Sequence, residues 1–192
     1  MRRSETPPAG LVYREDFLSP AEENELVTAI GVLTFREVRM RGVVAKRRVV
    51  HFGWDYGYES WRIEPTEPIP TFLLPLRARC AAAAAVAPDE FAQLLVACYP
   101  TGAGIGWHRD APMFGPVVAG VSLGAAGVLR FRRTLAGARQ RYSLTLRPRS
   151  LSLLTGAARS AWQHSVPPVP ALRYSVTFRQ VKTSVPRQPP QD

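Results

Sequence analysis

The sequence predicts an α+β protein that is mainly β: helices first, then about eight short strands in a β-sandwich or jelly roll, with the helices packed on one side. Three observations predict it. Helix signals are confined to the first half, at the Ser19-Pro20-Ala21-Glu22 start and the alanine-rich run 76–86. From residue 94 onward, short apolar segments are divided by turns rich in Gly, Pro and Arg. Near the C-terminus, Leu172, Tyr174, Val176 and Phe178 alternate with Arg173, Ser175, Thr177 and Arg179, the period-two pattern of a strand with unlike faces.

The elements follow in order. Residues 1–10 are polar and contain prolines, which predicts a flexible arm, and 11–17 read as a short strand. Ser19 is a helix cap, Pro20 suits the first helical position, and Glu22 and Glu23 favour the positive end of the dipole, so a helix is expected over 20–31. Strands are expected over 33–40 and 43–52, joined by Arg41-Gly42. Residues 53–75 are irregular, punctuated by Pro65, Pro68, Pro70 and Pro75, yet carry Trp54, Tyr56, Tyr58 and Trp61. A long irregular segment this aromatic reads as functional rather than as a linker. A helix over 76–86 and a turn at Pro88-Asp89-Glu90 lead into strands at 94–99, 105–110, 117–123, 128–133, 142–146, 150–154, 162–165 and 172–181. Residues 186–192 are polar, with prolines, and are expected to be disordered. One domain therefore spans 11–185.

With 25 Lys+Arg against 15 Asp+Glu the chain carries +10, and only Lys46 and Lys182 are lysines. Such a surface attracts polyanions, nucleic acid first and an acidic membrane face second, although a G+C-rich coding sequence would also enrich arginine. Two cysteines, Cys80 and Cys98, exclude a disulfide scaffold and a four-cysteine zinc site. The sequence shows neither a secretory leader nor an apolar run of about 18 residues. The expectation is a cytoplasmic monomer with no membrane association.

Three histidines are present: His51, His108 and His164. His108-Arg109-Asp110 sets an imidazole and a carboxylate two residues apart, on one face of a strand with Cα atoms about 7 Å apart. His164 from a remote strand would complete two imidazoles and one carboxylate, the facial set that holds Fe(II) with positions open for a chelating co-substrate and dioxygen. His51 lies outside this set. The polar face of the last strand suits either solvent or a dianion, since arginine binds carboxylates bidentately.

The segments Tyr99-Pro100 through Gly104-Ile105-Gly106-Trp107-His108-Arg109-Asp110, Val121-Ser122-Leu123-Gly124, His164, and Arg173-Tyr174-Ser175-Val176-Thr177-Phe178-Arg179 together resemble the AlkB family of Fe(II)- and 2-oxoglutarate-dependent dioxygenases. A weaker likeness runs through Arg48-Val49-Val50-His51-Phe52-Gly53-Trp54. The resemblance implies a double-stranded β-helix (jelly roll) with the N-terminal helices on one sheet, Fe(II) held by His108, Asp110 and His164, and 2-oxoglutarate and O2 as co-substrates. It further implies that Arg173, helped by Tyr99, meets the far carboxylate of 2-oxoglutarate, with Arg179 near the carboxylate that chelates iron and Ser175 in the same pocket. Residues 53–75 become the nucleotide-recognition segment, with Trp54, Tyr56 and Tyr58 at the base. The implied reaction is oxidative dealkylation of N-alkylated bases in DNA or RNA, single-stranded or base-flipped.

Two positions depart from the family. Ala97 replaces an Asn common two residues before the Tyr, and Pro112 stands where the bacterial repair enzyme has an acidic contact to the damaged base. With Phe52-Gly53-Trp54 and the short 164–173 stretch, they bring the chain closer to divergent bacterial and wobble-uridine-associated branches. The same oxygenase chemistry on a protein or small molecule, or a tRNA-modifying hydroxylation, is the competing expectation. The run Arg130, Arg132, Arg133, Arg139, Arg141, Arg147 and Arg149 is either a phosphate-tracking rim or a solvated sheet face.

Overall fold

The computed structural model describes residues 6–40, 43–56 and 63–182. The Arg41-Gly42 turn, Tyr58, Trp61 and the 186–192 tail lie outside the described residues. The elements of the first half are β1 (Leu11–Arg14), α1 (Pro20–Gly31), β2 (Arg36–Met40), β3 (Val43–Phe52), β4 (Trp54–Tyr56), β5 (Ile63–Pro65) and α2 (Leu74–Ala84). The second half holds β6 (Gln93–Tyr99), β7 (Ile105–His108), β8 (Phe114–Gly124), β9 (Gly127–Leu135), β10 (Ala138–Leu146), β11 (Ser150–Leu154), α3 (Gly156–Ser160), β12 (Gln163–Val166) and β13 (Arg173–Val181).

The main strands form two antiparallel sheets, one of seven in the order β1-β11-β8-β13-β6-β3-β2 and one of four in the order β10-β9-β12-β7. This is the predicted jelly roll. Ser19 caps α1 in a reciprocal box: its hydroxyl accepts from the Glu22 amide, and the Glu22 carboxylate accepts from the Ser19 amide. α2 begins before the predicted residue 76, because a short 3-10 turn, Thr71–Leu73, feeds it and Pro75 is tolerated in its first turn. It ends at Ala84, where Ala85 takes a left-handed conformation at φ 55°. The 53–75 segment is more regular than expected, since β4 and β5 pair as a small ribbon. α3 has no counterpart in the predicted elements.

Two cores result. One lies between the helices and the outer face of the large sheet, with Ile30, Leu76, Cys80, Val96, Val121, Tyr174, Val176 and Phe178 among its members. The other lies between the sheets, around Leu95, Tyr99, Phe131 and Trp162. β13 alternates as predicted from residue 173 on; Leu172 precedes the strand and is half exposed. The predicted strand 105–110 stops at His108, so Asp110 is not a strand residue. No helix among the described residues is long and apolar enough to cross a membrane.

Candidate active site

His108 at the end of β7 and His164 on β12 are direct cross-strand partners. Their ring centroids are 4.3 Å apart. Asp110 joins them from outside the sheet, its Oδ2 standing 3.7 Å from His164 Nε2. A strand does not supply this placement; Arg159 does. From α3 the Arg159 guanidinium donates to the carbonyls of Asp110, Ala111 and Phe114 at 3.2, 3.0 and 3.3 Å. The chain is thereby folded back beneath His108, and Arg159 is a residue that the sequence reading missed.

The donors are already oriented by their other atoms. His108 Nδ1 lies 2.9 Å from the Gly106 carbonyl, which can only accept, so the proton sits on Nδ1 and Nε2 keeps its lone pair. Asp110 Oδ1 takes an ion pair from Arg179 at 2.8 Å, which leaves Oδ2 toward the histidines. Arg179 in turn donates to Gln93 Oε1 at 3.2 Å. Burial pushes the Asp110 carboxyl up, but Arg179, the two imidazoles and Arg159 override it and hold it well below the usual carboxylate range. Burial pulls the His164 imidazole down to about 4 and lowers His108 as well, so both rings are neutral near pH 7. Among the described residues no group of three His, Cys, Asp or Glu stands ready to hold a metal ion, and the Asp110 carboxylate is engaged by Arg179. Two neutral imidazoles and an ionised carboxylate nevertheless fit a divalent first-row ion such as Fe(II), with no proton to be expelled.

Beside this set a cavity between the sheets is lined by Tyr99, Ser122, Arg173, Ser175, Thr177 and Arg179, among others. Arg173 is 2% exposed. It donates to Ser122 Oγ at 2.9 Å and lies over the Tyr99 ring, 5.2 Å from its centroid. No carboxylate pairs with it among the described residues, and burial pulls its guanidinium down. A buried cation without a counter-ion is costly, so the cavity fits an anion. A Cβ at Gly127 would stand 3.1 Å from Arg173 Nε, so glycine there leaves the guanidinium room. Ala97, paired with Ser175, lines the same cavity.

On the other side of the donor set an open cleft is bordered by Trp107, Pro112, Phe114, Pro116, His51 and Arg47. Arg47 is a second missed residue. It is 3% exposed on β3, has no carboxylate partner among the described residues, and lines both the cavity and the cleft. Strand parity with Val49 and His51 was the available signal. His51, placed outside the metal set, forms a hydrogen bond with Asp55. Trp54 is partly buried on β4 and is not among the residues lining the cleft. Tyr56 contributes backbone to β4.

The chain matches the 2OG-Fe(II) oxygenase superfamily over residues 10–179. It is 29% identical to the alkylated DNA repair protein ALKBH8 homolog of Arabidopsis thaliana, covering 82% of this chain and 51% of that protein. It is 27% identical to the tRNA (carboxymethyluridine(34)-5-O)-methyltransferase alkbh8 of Xenopus tropicalis, over 84% of this chain and 26% of that protein. To the probable RNA/DNA demethylase ALKBH6 of Danio rerio it is 29% identical, over 78% and 64%. This chain thus spans about half of the plant relative and about a quarter of the frog one. In fold it is similar to the solved structure of OsALKBH1, with a TM-score of 0.71 at 16% identity, covering 92% of this chain and 99% of the other. The chain therefore belongs to the 2OG-Fe(II) oxygenase superfamily, dioxygenases whose reagents are Fe(II), 2-oxoglutarate and O2, and within it is similar to AlkB homologues.

Proposed function

We propose that this dioxygenase oxidises the alkyl groups of N-alkylated bases in DNA or RNA, with His108, Asp110 and His164 as the iron ligands. The observation that carries the reading is that His108 and Asp110 line both an open cleft bordered by Trp107 and Phe114 and, with His164, a cavity holding Arg173, which has no carboxylate partner among the described residues. The cavity would seat 2-oxoglutarate, with Arg173 and Tyr99 at its far carboxylate and Ser175 and Arg179 nearer the metal. The cleft would seat an extruded base, and Trp54, Tyr56 and Tyr58 are the aromatics proposed to meet it. Iron, when bound, supplies oxygen activation, with 2-oxoglutarate converted to succinate and CO2. The protein's own work is to hold both reactants dry and adjacent. A hydroxylated N-methyl carbon then leaves as formaldehyde, its hydroxyl proton passing to the base nitrogen through solvent.

A second reading, hydroxylation of a modified tRNA base, is favoured by Arg47. A buried guanidinium without a carboxylate partner at the cleft suits a base bearing an anionic substituent, and the frog relative's name specifies carboxymethyluridine in tRNA. Purified protein with Fe(II) and 2-oxoglutarate, offered methylated oligonucleotides, carboxymethylated tRNA fragments and unmodified controls, separates the readings. Formaldehyde with succinate supports dealkylation; succinate with a base gaining one oxygen supports hydroxylation. Succinate formation stimulated only by a protein or metabolite would overturn both.

A further inference from the structure

The outer face of the four-stranded sheet carries charge in an unusual arrangement. Arg132 on β9 stands directly opposite Arg141 on β10, and Thr134 opposite Arg139, so three arginines project from one face of two neighbouring strands. Arg130, two residues from Arg132 on β9, shares that face. Arg109, next to the metal set, reaches the same hollow, which is lined by Arg109, Arg132, Arg133, Arg139 and Arg141 with Gln140 and Gln163. Like charges directly opposite across strands are destabilising. Among the described residues none of these guanidiniums has a carboxylate partner, whereas several exposed arginines elsewhere do: Arg36 with Asp55, Arg79 with Glu22, Arg147 with Glu15, Arg149 with Asp16.

Several of these groups are also held in place. Arg132 Nε donates to Gln163 at 2.8 Å and Arg133 Nε to Gln140 at 2.6 Å, which leaves their terminal nitrogens for another partner. Arg132 and Arg130 lie over the Trp107 ring, 4.5 and 5.3 Å from its centroid. Trp107 and Arg109 also border the cleft beside His108 and Asp110, so the charged face and the cleft meet.

We propose that this face is a phosphodiester track: it holds the strand that flanks the base in the cleft, from Trp107 outward to Arg139 and Arg141. The inference rests on the nucleic-acid reading above and adds where the polymer runs. A charged row continuous with the cleft suits a polymer of regularly spaced anions better than a single anion, and direct contacts to its phosphates position without specifying sequence.

The test compares wild type with Arg139→Gln/Arg141→Gln and with a control of equal charge loss, Arg14→Gln/Arg147→Gln. Binding of a fluorescent single-stranded oligonucleotide is titrated against salt. Losing two single-strand phosphate contacts should flatten the slope of log affinity against log salt by about 1.4 and weaken binding roughly 25-fold near 0.1 M salt. The control should keep the wild-type slope. An unchanged slope in Arg139→Gln/Arg141→Gln, or an equal loss in the control, overturns the track. If wild type oxidises oligonucleotides while the double variant binds them normally, only the track fails; if wild type acts on no nucleic acid, the function reading fails with it. Should the double variant fold poorly, Arg139→Lys/Arg141→Lys must retain the slope, and a loss there overturns the proposal.

Discussion

The two sheets of the jelly roll are built from the same strand pattern but put their outer faces to opposite uses. The large sheet turns Tyr174, Val176 and Phe178 toward α1 and α2, and its outer face is core. The small sheet turns Arg132, Arg139 and Arg141 outward, where β10 alternates exposed and part-buried residues. One outer face stabilises the fold by burial; the other leaves repulsion unrelieved until something anionic arrives. The inner faces share the chemistry, because β13 supplies Arg173 and Arg179 while β7 and β12 supply the histidines. The comparison teaches that helix cover, rather than strand composition alone, separates the stabilising surface from the binding one.

The largest effect expected is on turnover. His108→Ala should abolish succinate formation while the melting temperature stays near wild type, because the ring faces a cleft rather than the helix-side core. Wild-type succinate output from that variant would move the iron elsewhere. On the covered face, Phe178→Ala should cost about 3–5 kcal/mol in urea unfolding. A small cost would mean that the helices, and not the sheet, carry the core. On the opposite face of the same strand, Arg173→Ala should weaken 2-oxoglutarate binding by about 2–5 kcal/mol, roughly thirtyfold or more in the concentration needed. An unaltered requirement would put the dicarboxylate in another place.

pH probes the seam between the sheets. His164, His108 and His51 are buried neutral, and their folded values lie below the ordinary imidazole range. Below about pH 6.5 the unfolded chain takes up protons that the folded chain refuses, so stability falls with pH until about 4, where His164 itself titrates. Metal-free protein should lose on the order of 1–2 kcal/mol between pH 7 and 5 for His164 alone. A flat stability over that range would show these rings to be solvated. The smallest effect belongs to the bare face: Arg141→Gln should change stability by less than about 0.5 kcal/mol, and in the stabilising direction, since it removes the charge opposite Arg132. A clear loss would mean that the face is structural.

Much of this was legible in residue order. Ser19-Pro20-Ala21-Glu22 encodes its own cap, and the alternation through 173–179 by itself separates core from cavity. The proposed donor set could be named from composition, but the strand geometry expected for Asp110 could not. Asp110 reaches the histidines through a turn held by Arg159, a contact across 49 positions that no local pattern encodes. Arg47 was obscured for a different reason. Pairs such as Arg47-Arg48 read as surface charge, and only the pairing of β3 with β6 turns one inward and the other out. For the aromatic segment from Trp54, composition names candidates for the base but does not specify which way a short ribbon faces.

If His108 and His164 hold the iron as proposed, their direct cross-strand pairing would make metal affinity a gauge of strand alignment. A slip of one residue between β12 and its neighbours would rotate His164 to the arginine-bearing face and leave one imidazole behind. An ion that needs both rings would therefore be lost by a one-residue slip. Iron bound there would also favour the aligned sheet, and chelation would remove that bias before it removed the fold.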